Sequence, residues 1–394
     1  MNIQPNEQQI NLLINKLINF KITNYHKDRN YVYFEADRFK NVSGLSAFIS
    51  RGLLKEQTLL KKIISSGNLN EKFIQEIFWR VYWQGWLENY SNTWDKYKKT
   101  ISYIENKELN NICNYHDAIN ASTSIEPFNE WVTILKQDGY LHNHVRMWFA
   151  SIWIHYLELP WHLGCKFFYE NLLDADVASN LLSWRWVAGL QTYGKKYLAT
   201  EENINKYTNN RYLGFKLPKV KNISIKNEDK VLNYIKTSKI EDTNKDCAFF
   251  LMENNLNLDL LKNLNEKVKV LILIKFNLKI INKNQIVLNF QKKLYKNFVQ
   301  KNIQENYKYY EFELPKDNSK LIFFLKSKGI KNIIYNYVRV GYEKDILNNL
   351  ILSLDDSFVI KSILDDFYTE SWKYCNKGFF KFKEKIPMLL NKYF

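Results

Sequence analysis

The sequence predicts a mainly α N-terminal domain over residues 1–214, followed by a smaller α/β parallel-sheet domain over residues 215–394. Three observations carry this reading. Before residue 210, apolar side chains recur at helical spacing. After Lys216–Pro218, short apolar runs alternate with helical patterns, the order expected of strands and helices around a parallel sheet. Only 12 Gly and 6 Pro punctuate 394 residues, which suits long helices.

In the first half, Gln8–Phe20 places Ile10, Leu13, Ile14, Leu17 and Ile18 on one face, an amphipathic helix. Glu71–Leu87 and Phe128–Leu135 follow the same spacing. Asn143–Leu157 is apolar nearly all round, so a buried helix is expected there, ended or kinked by Pro160. In the second half, Ala248–Met252, Val268–Ile274 and Ile333–Val338 read as strands. Gln291–Gln304, Ser319–Lys328 and Glu343–Leu354 read as helices.

Composition narrows the function classes. Aromatics make up 16% of the chain, with 25 Phe, 26 Tyr and 11 Trp, far too many for a disordered protein. The net charge of +16 divides into +3 over residues 1–214 and +13 over 215–394. A basic chain attracts polyanions, yet the excess lies in the second half, where solvated lysines explain it equally well. Cys113, Cys165, Cys247 and Cys375 form no CxxC pair, so neither a disulfide framework nor a zinc site is expected. The N-terminus lacks the blocks of a signal peptide. The most apolar stretch, Met147–Leu157, is too short to span a bilayer. A cytoplasmic protein without membrane association is the expectation.

The chemistry-bearing residues concentrate between Gly139 and Trp186. Asp174-Ala-Asp176 can ligate a metal, cap a helix, or accept hydrogen bonds from a ribose or ring N–H; capping by Asp176 alone is worth about 1 kcal/mol. Upstream, Ser43-Gly-Leu45-Ser46 reads as a helix cap. Glu76, Trp79 and Arg80 sit on adjoining helical positions, where Glu76 and Arg80 can form a surface i,i+4 pair.

Taken together, these pieces resemble the DNA photolyase/cryptochrome family. LLDADVASNLLSWRW, over residues 172–186, is similar to that family's two aspartates, asparagine and Trp-x-Trp pair. The resemblance implies a helical FAD-binding domain. Within it, Asp174 pairs with Arg146 beside the isoalloxazine, Asp176 lies close to the ring and ribityl chain, and Asn180 faces the flavin N5, where an amide can donate or accept. NVSGLSAFISRG resembles the diphosphate loop, which assigns Ser43, Leu45 and Ser46 to the cofactor; Val42 and Ala47 replace its usual Thr and Pro. Tyr25 and Arg29 fit a Tyr-x3-Arg pattern ahead of the loop. Glu76-x-x-Trp79-Arg80 resembles the helix whose glutamate bonds a pyrimidine dimer, whose Trp packs on it, and whose arginine supports the flavin. Trp184 and Trp161 match the inner members of a photoreduction chain, with Trp94 as candidate for the outer one. Asn143, Met147 and Trp186 match the substrate pocket.

The implied function is a light-driven, FAD-dependent photolyase that splits cyclobutane pyrimidine dimers in DNA. The alternatives are a blue-light photoreceptor of cryptochrome type and a flavoenzyme with a non-DNA substrate. The family's phosphate-gripping arginines are replaced by His144 and Ala199, which weakens damaged DNA as the partner. The domain order is also inverted. Photolyases begin with an α/β antenna domain, whereas here, within the α/β Rossmann-like domain of 215–394, residues 245–345 resemble that antenna domain moved to the C-terminus, in permuted order. No glycine-rich fingerprint assigns an antenna chromophore, and the oligomeric state is not indicated. The terminal KGFFKFKEKIP, basic and aromatic, is expected to cover a domain interface rather than contact phosphates.

Overall fold

The computed structural model describes residues 3–34, 36, 38–192, 194–220, 230–235, 237–240, 246–264, 267–278 and 281–394. The helical half comprises α1 (Glu7–Lys16), α2 (Tyr25–Asp28), α3 (Ser46–Ile49), α4 (Glu56–Ser65), α5 (Glu71–Asn89), α6 (Asn92–Tyr103), α7 (Tyr115–Asn120), α8 (Glu126–Asp138), α9 (Asn143–Ser151), α10 (Trp161–Asn171), α11 (Val177–Val187) and α12 (Glu201–Tyr207). The α/β half follows with β1 (Cys247–Met252), α13 (Asp259–Asn263), β2 (Val268–Phe276), α14 (Gln285–Asn302), β3 (Tyr309–Leu314), α15 (Asn318–Ser327), β4 (Asn332–Asn336), α16 (Tyr342–Leu352) and β5 (Val359–Ile363). Three last helices close the chain: α17 (Asp366–Trp372), α18 (Phe379–Lys383) and α19 (Ile386–Tyr393).

Helix α5 is the axis of the helical half. It begins where the Asn70 side chain accepts the Phe73 N–H at 3.1 Å, and it is buried on most sides down to Asn89. The expected helix over Asn143–Leu157 divides into α9 and a wider π-type turn over Ile152–Tyr156. Pro160 then occupies the N-cap position of α10.

The five strands are all parallel, in the order β3-β2-β1-β4-β5. Alternation along the strands sends Phe249, Leu251, Leu271 and Leu273 into the core shared with the helical half. It sends Ala248, Phe250, Ile272 and Ile274 into a second core with α15 and α16. The edge strands β3 and β5 lay outside the sequence expectation. Their sequences, YYEFEL and VIKSI, mix charge and half-exposed positions, so they lack the continuous apolar run that marks the buried strands.

Strand order reverses between β1 and β4, which opens a crevice at their carboxyl ends. A cavity of about 140 Å³ lies there, bounded by Asn255 and Arg339 on the sheet side and by Arg51, Glu56 and Asp176 on the helical side. The halves are tied by buried Glu88 of α5, which accepts the Tyr337 hydroxyl at 2.7 Å, the Val340 N–H at 2.6 Å and the Lys344 ammonium at 3.1 Å.

At the end of the chain, α17 and α18 pack against α5 of the helical half. Gly85 permits this approach: a Cβ at that position would lie 2.4 Å from Trp372 Cδ1.

Candidate functional site

Two arginines and two aspartates form the centre of the site. Arg146 reaches Asp174 at 3.0 Å and also donates from Nε to the Leu141 carbonyl at 2.9 Å. Arg80 reaches Asp176 at 2.9 Å and Glu56 at 3.1 Å. Burial would raise the Asp174 carboxyl, but Arg146 and the Ser46 hydroxyl outweigh it and hold the group below the usual carboxylate range. Ser50 links the two pairs: its hydroxyl meets the Asp174 carbonyl at 2.6 Å, with the Ser46 carbonyl an alternative acceptor at 2.8 Å, and it accepts from Arg80 at 3.2 Å. Asp176 also caps α11, accepting the Ser179 N–H at 3.0 Å, so the capping and ion-pairing readings of this residue both hold.

The side chains around this centre have definite places. Asn180 donates to the Cys165 carbonyl at 2.7 Å. Leu45 is fully buried, and its N–H meets the Ser43 hydroxyl at 3.3 Å. Helix α3, which starts at Ser46, is a single turn, so the loop's hydroxyls, not a helix dipole, are what it offers a phosphate. Tyr25 packs edge-on against Phe73 at 4.9 Å. Asp174 Oδ1 and Ser179 Oγ are buried without a hydrogen-bond partner among the described residues. A buried, arginine-held carboxylate with one unsatisfied oxygen is an acceptor that a flavin ring N–H would satisfy, so these residues fit FAD.

The residues expected at a substrate pocket make contacts within the protein. Glu76 does not pair with Arg80 across one helical turn. It pairs with Arg29 at 2.8 Å, and burial carries its carboxyl above the usual range despite that arginine. Trp79 stacks on Phe379 of α18, with centroids 3.5 Å apart and planes 9° apart, so the face expected to pack on a lesion base carries a side chain from the C-terminus. Trp186 stacks on Tyr197 at 5.4 Å, Met147 is half-buried and Asn143 is exposed. His144 is buried, stacked on Trp148 at 4.3 Å and held to the Asn30 carbonyl at 3.0 Å; burial keeps its imidazole below the usual range. Ala199 is fully buried. Neither position presents a cation to a phosphate.

The tryptophans separate into two networks. Trp184 contacts Trp153, Phe149 and Phe168, at 6.1, 6.4 and 5.0 Å between centroids. Trp161 contacts His162 at 3.9 Å and Tyr97 at 5.9 Å, and Tyr97 continues to Trp94 at 5.4 Å. No ring contact joins Trp184 to Trp161 among the described residues.

Sequence reasoning missed Glu56, Ser50, Tyr368 and Phe379. Glu56 is buried and also accepts from Gln84 at 3.1 Å and from the Tyr368 hydroxyl. A lone Glu at a helix start gives no periodic signal of burial. Phe379 lay within the terminal aromatic segment already expected at an interface.

Among the described residues there is no cluster of three or more metal-ligating side chains, and no helix is long and apolar enough to cross a membrane.

Residues 73–227 match the family model of the FAD binding domain of DNA photolyase. The deoxyribodipyrimidine photo-lyase of Buchnera aphidicola (subsp. Acyrthosiphon pisum) is 27% identical over 192 residues, 45% of this chain and 38% of that protein. Cryptochrome-1 of Arabidopsis thaliana is 41% identical over 51 residues, 13% of this chain and 8% of that protein. The solved cryptochrome of Synechocystis sp. aligns over 51% of this chain and 43% of its own, at 18% identity and a TM-score of 0.44. The matched part spans less than half the length of the curated relatives that lead the comparison. The chain is thus similar, through residues 73–227, to the FAD binding domain of DNA photolyase, and its helical half is similar in sequence to photolyases and cryptochromes.

Proposed function

We propose that the chain is a light-driven flavoprotein that holds FAD between the Arg146–Asp174 and Arg80–Asp176 pairs and uses it for photolyase-type repair of cyclobutane pyrimidine dimers. The observation that carries the cofactor assignment is the unsatisfied Asp174 Oδ1 inside this paired cluster. When bound, reduced FAD supplies a photoexcited electron donor. The protein's part is to position and to exclude water. Arg146, which pairs with Asp174, would fix that carboxylate toward the ring, and Ser43 and Ser46 would offer hydroxyls to the diphosphate. Asn180, whose amide nitrogen donates to the Cys165 carbonyl, would leave its carbonyl oxygen to meet the flavin N5. Glu76 would hydrogen-bond the dimer and stabilise its radical anion. Met147 and Trp186 would wall a base flipped from the duplex.

The α/β half is read as the antenna domain in permuted order. The β1/β4 crevice facing Arg51 and Asp176 supports this; the chromophore is left unassigned.

A cryptochrome-like photoreceptor is the second reading, favoured by one observation: Phe379 occupies the face of Trp79 on which a lesion base would stack. Illumination of the reduced, FAD-loaded protein with an oligonucleotide containing one thymine dimer separates the two. Restored thymines support repair. Photoreduction without repair overturns it and leaves the photoreceptor. A protein that cannot be loaded with FAD overturns both.

A further inference from the structure

We infer that the C-terminal stretch from Lys377 to Lys385 is a contact surface for a single nucleic-acid strand, its lysines on the phosphates and Phe380 stacked on an unpaired base. The inference deepens the repair reading above and rests on it for the choice of DNA. Helix α18 presents two faces. Phe379 and Phe382 turn inward, onto Trp79 and Phe78 of α5, with ring centroids 3.5 and 6.1 Å apart. One step round, Phe380 is 80% exposed, and Lys377, Lys381 and Lys385 are exposed with it. The terminal segment expected to cover an interface therefore does so with one face only.

The exposed ring is held in place by its flanks. Ahead of it, the Tyr90 hydroxyl donates to the Asn376 carbonyl and the Tyr82 hydroxyl to the Lys377 carbonyl, both at 2.7 Å. Behind it, Lys383 pairs with Glu71 of α5 at 3.3 Å, and Phe382 is fully buried. The backbone on either side of Phe380 is thus fastened to the helix that carries Glu76, Trp79 and Arg80. A ring already fixed in solvent does not pay, on binding, the ordering cost of a mobile tail.

Charge selects the partner. Residues 373–394 carry six lysines against one glutamate, Glu384. Lys381 meets that glutamate at 3.0 Å, but both side chains are exposed, so the pair is weak and a phosphate can compete for the lysine. The two positions expected to grip phosphates, His144 and Ala199, are buried, and the C-terminal segment brings cations to the same helix by another route. It lies outside the stretch 73–227 that matches the family model. A ring among lysines suits a single strand: phosphates take the cations, and the ring takes a base of any identity. A duplex offers phosphates but keeps its bases stacked on one another. A membrane anchor needs an outward apolar helix face, and here Phe379, Phe382, Ile386 and Leu389 turn theirs into the core.

The test is fluorescence anisotropy of the FAD-loaded protein in the dark, with a labelled oligothymidylate of about 12 nucleotides, over a range of salt. The wild type is expected to bind this strand more tightly than a hairpin duplex of equal length. Phe380→Ala should weaken binding about tenfold and leave the salt dependence unchanged, because a stacked base releases no counterion. Lys377→Gln, Lys381→Gln and Lys385→Gln together should instead flatten the slope of log affinity against log salt by about 2. The control for net charge is the same change at Lys292, Lys293 and Lys296, exposed on α14, which should flatten the slope less. Equal losses from the two triple variants, an unchanged affinity in Phe380→Ala, or tighter binding to vesicles of anionic phospholipid each overturn the surface. Dimer repair by a wild type that binds no oligothymidylate also overturns it and leaves the repair reading standing. Strand binding that depends on Phe380, without repair of a dimer under light, overturns the repair reading and keeps the surface.

Discussion

Two neighbouring residues of α5 meet very different surroundings. Arg80 turns to Glu56, Ser50 and Asp176, all from the helical half, in a closed set of charged contacts. Trp79 is met by Phe379, an aromatic contact delivered from the far end of the chain. The proposed cofactor side is therefore built mainly from the helical half, with Tyr368 of α17 reaching only Glu56, whereas the proposed substrate side is covered by the C-terminal helices. An insult to the first should remove the flavin. An insult to the second should change access.

The largest effect is expected from Arg80→Met. It leaves Glu56 and Asp176 buried without their shared cation, and breaking a buried pair by removing one partner costs about 3–5 kcal/mol. The variant should retain no FAD on gel filtration and show a lowered denaturant midpoint. Full FAD occupancy would mean that Arg80 is structural and not part of the cofactor side.

Phe379→Ala tests the other face. Deleting a buried Phe costs about 3 kcal/mol, yet FAD occupancy should be unchanged. Trp79 should become accessible to acrylamide quenching, and affinity for a thymine-dimer oligonucleotide should rise. Unchanged quenching would show that the stack is not what shields Trp79.

How much of this contrast was legible in the sequence follows from the physics of each side. Asp174, Asp176, Asn180, Arg146 and Arg80 were singled out by their resemblance to a family pattern, and the structure pairs Asp174 with Arg146 and Asp176 with Arg80. The buried strands were legible as continuous apolar runs, and the mixed edge strands were not. Phe379 on Trp79 was not legible because it is a contact between sequence-distant positions, fixed by how α17 and α18 return across Gly85. The separation of Trp184 from Trp161 was hidden for the same reason. Spacing along the chain does not say which of several indoles becomes a neighbour.

The start of α9 should also be acid-labile. Burial, then repulsion by His144 and Arg146, pushes the His142 imidazole down to about 3, against about 6.5 in an unfolded chain. A group whose folded affinity for protons is depressed stabilises the fold above its unfolded value. That stability is lost as pH falls from about 6.5 toward 3. Asp174 adds to the loss at still lower pH, because its folded value is also depressed. His142 accepts the His144 N–H at 3.1 Å at the start of α9, and His142→Asn keeps an acceptor there. The urea midpoint of the wild type should fall through the weakly acidic range, and that of His142→Asn should fall less. Parallel curves would place the acid lability elsewhere.

The smallest effect, and the one that best resolves the cofactor side, is Ser50→Ala. The hydroxyl gives one hydrogen bond and receives another, so its loss should cost about 1 kcal/mol with FAD still bound, though more weakly. Its value lies in combination. Ser50 touches both the Arg80 group and the Asp174 backbone, so if the two ion pairs form one unit, Ser50→Ala should lose most of its effect once Arg80→Met is present. Measured by denaturant unfolding, a coupling above about 0.5 kcal/mol in that double-mutant cycle would make the two pairs a single element. Additivity would make them two independent anchors that happen to share a loop, and FAD binding would then depend on each separately.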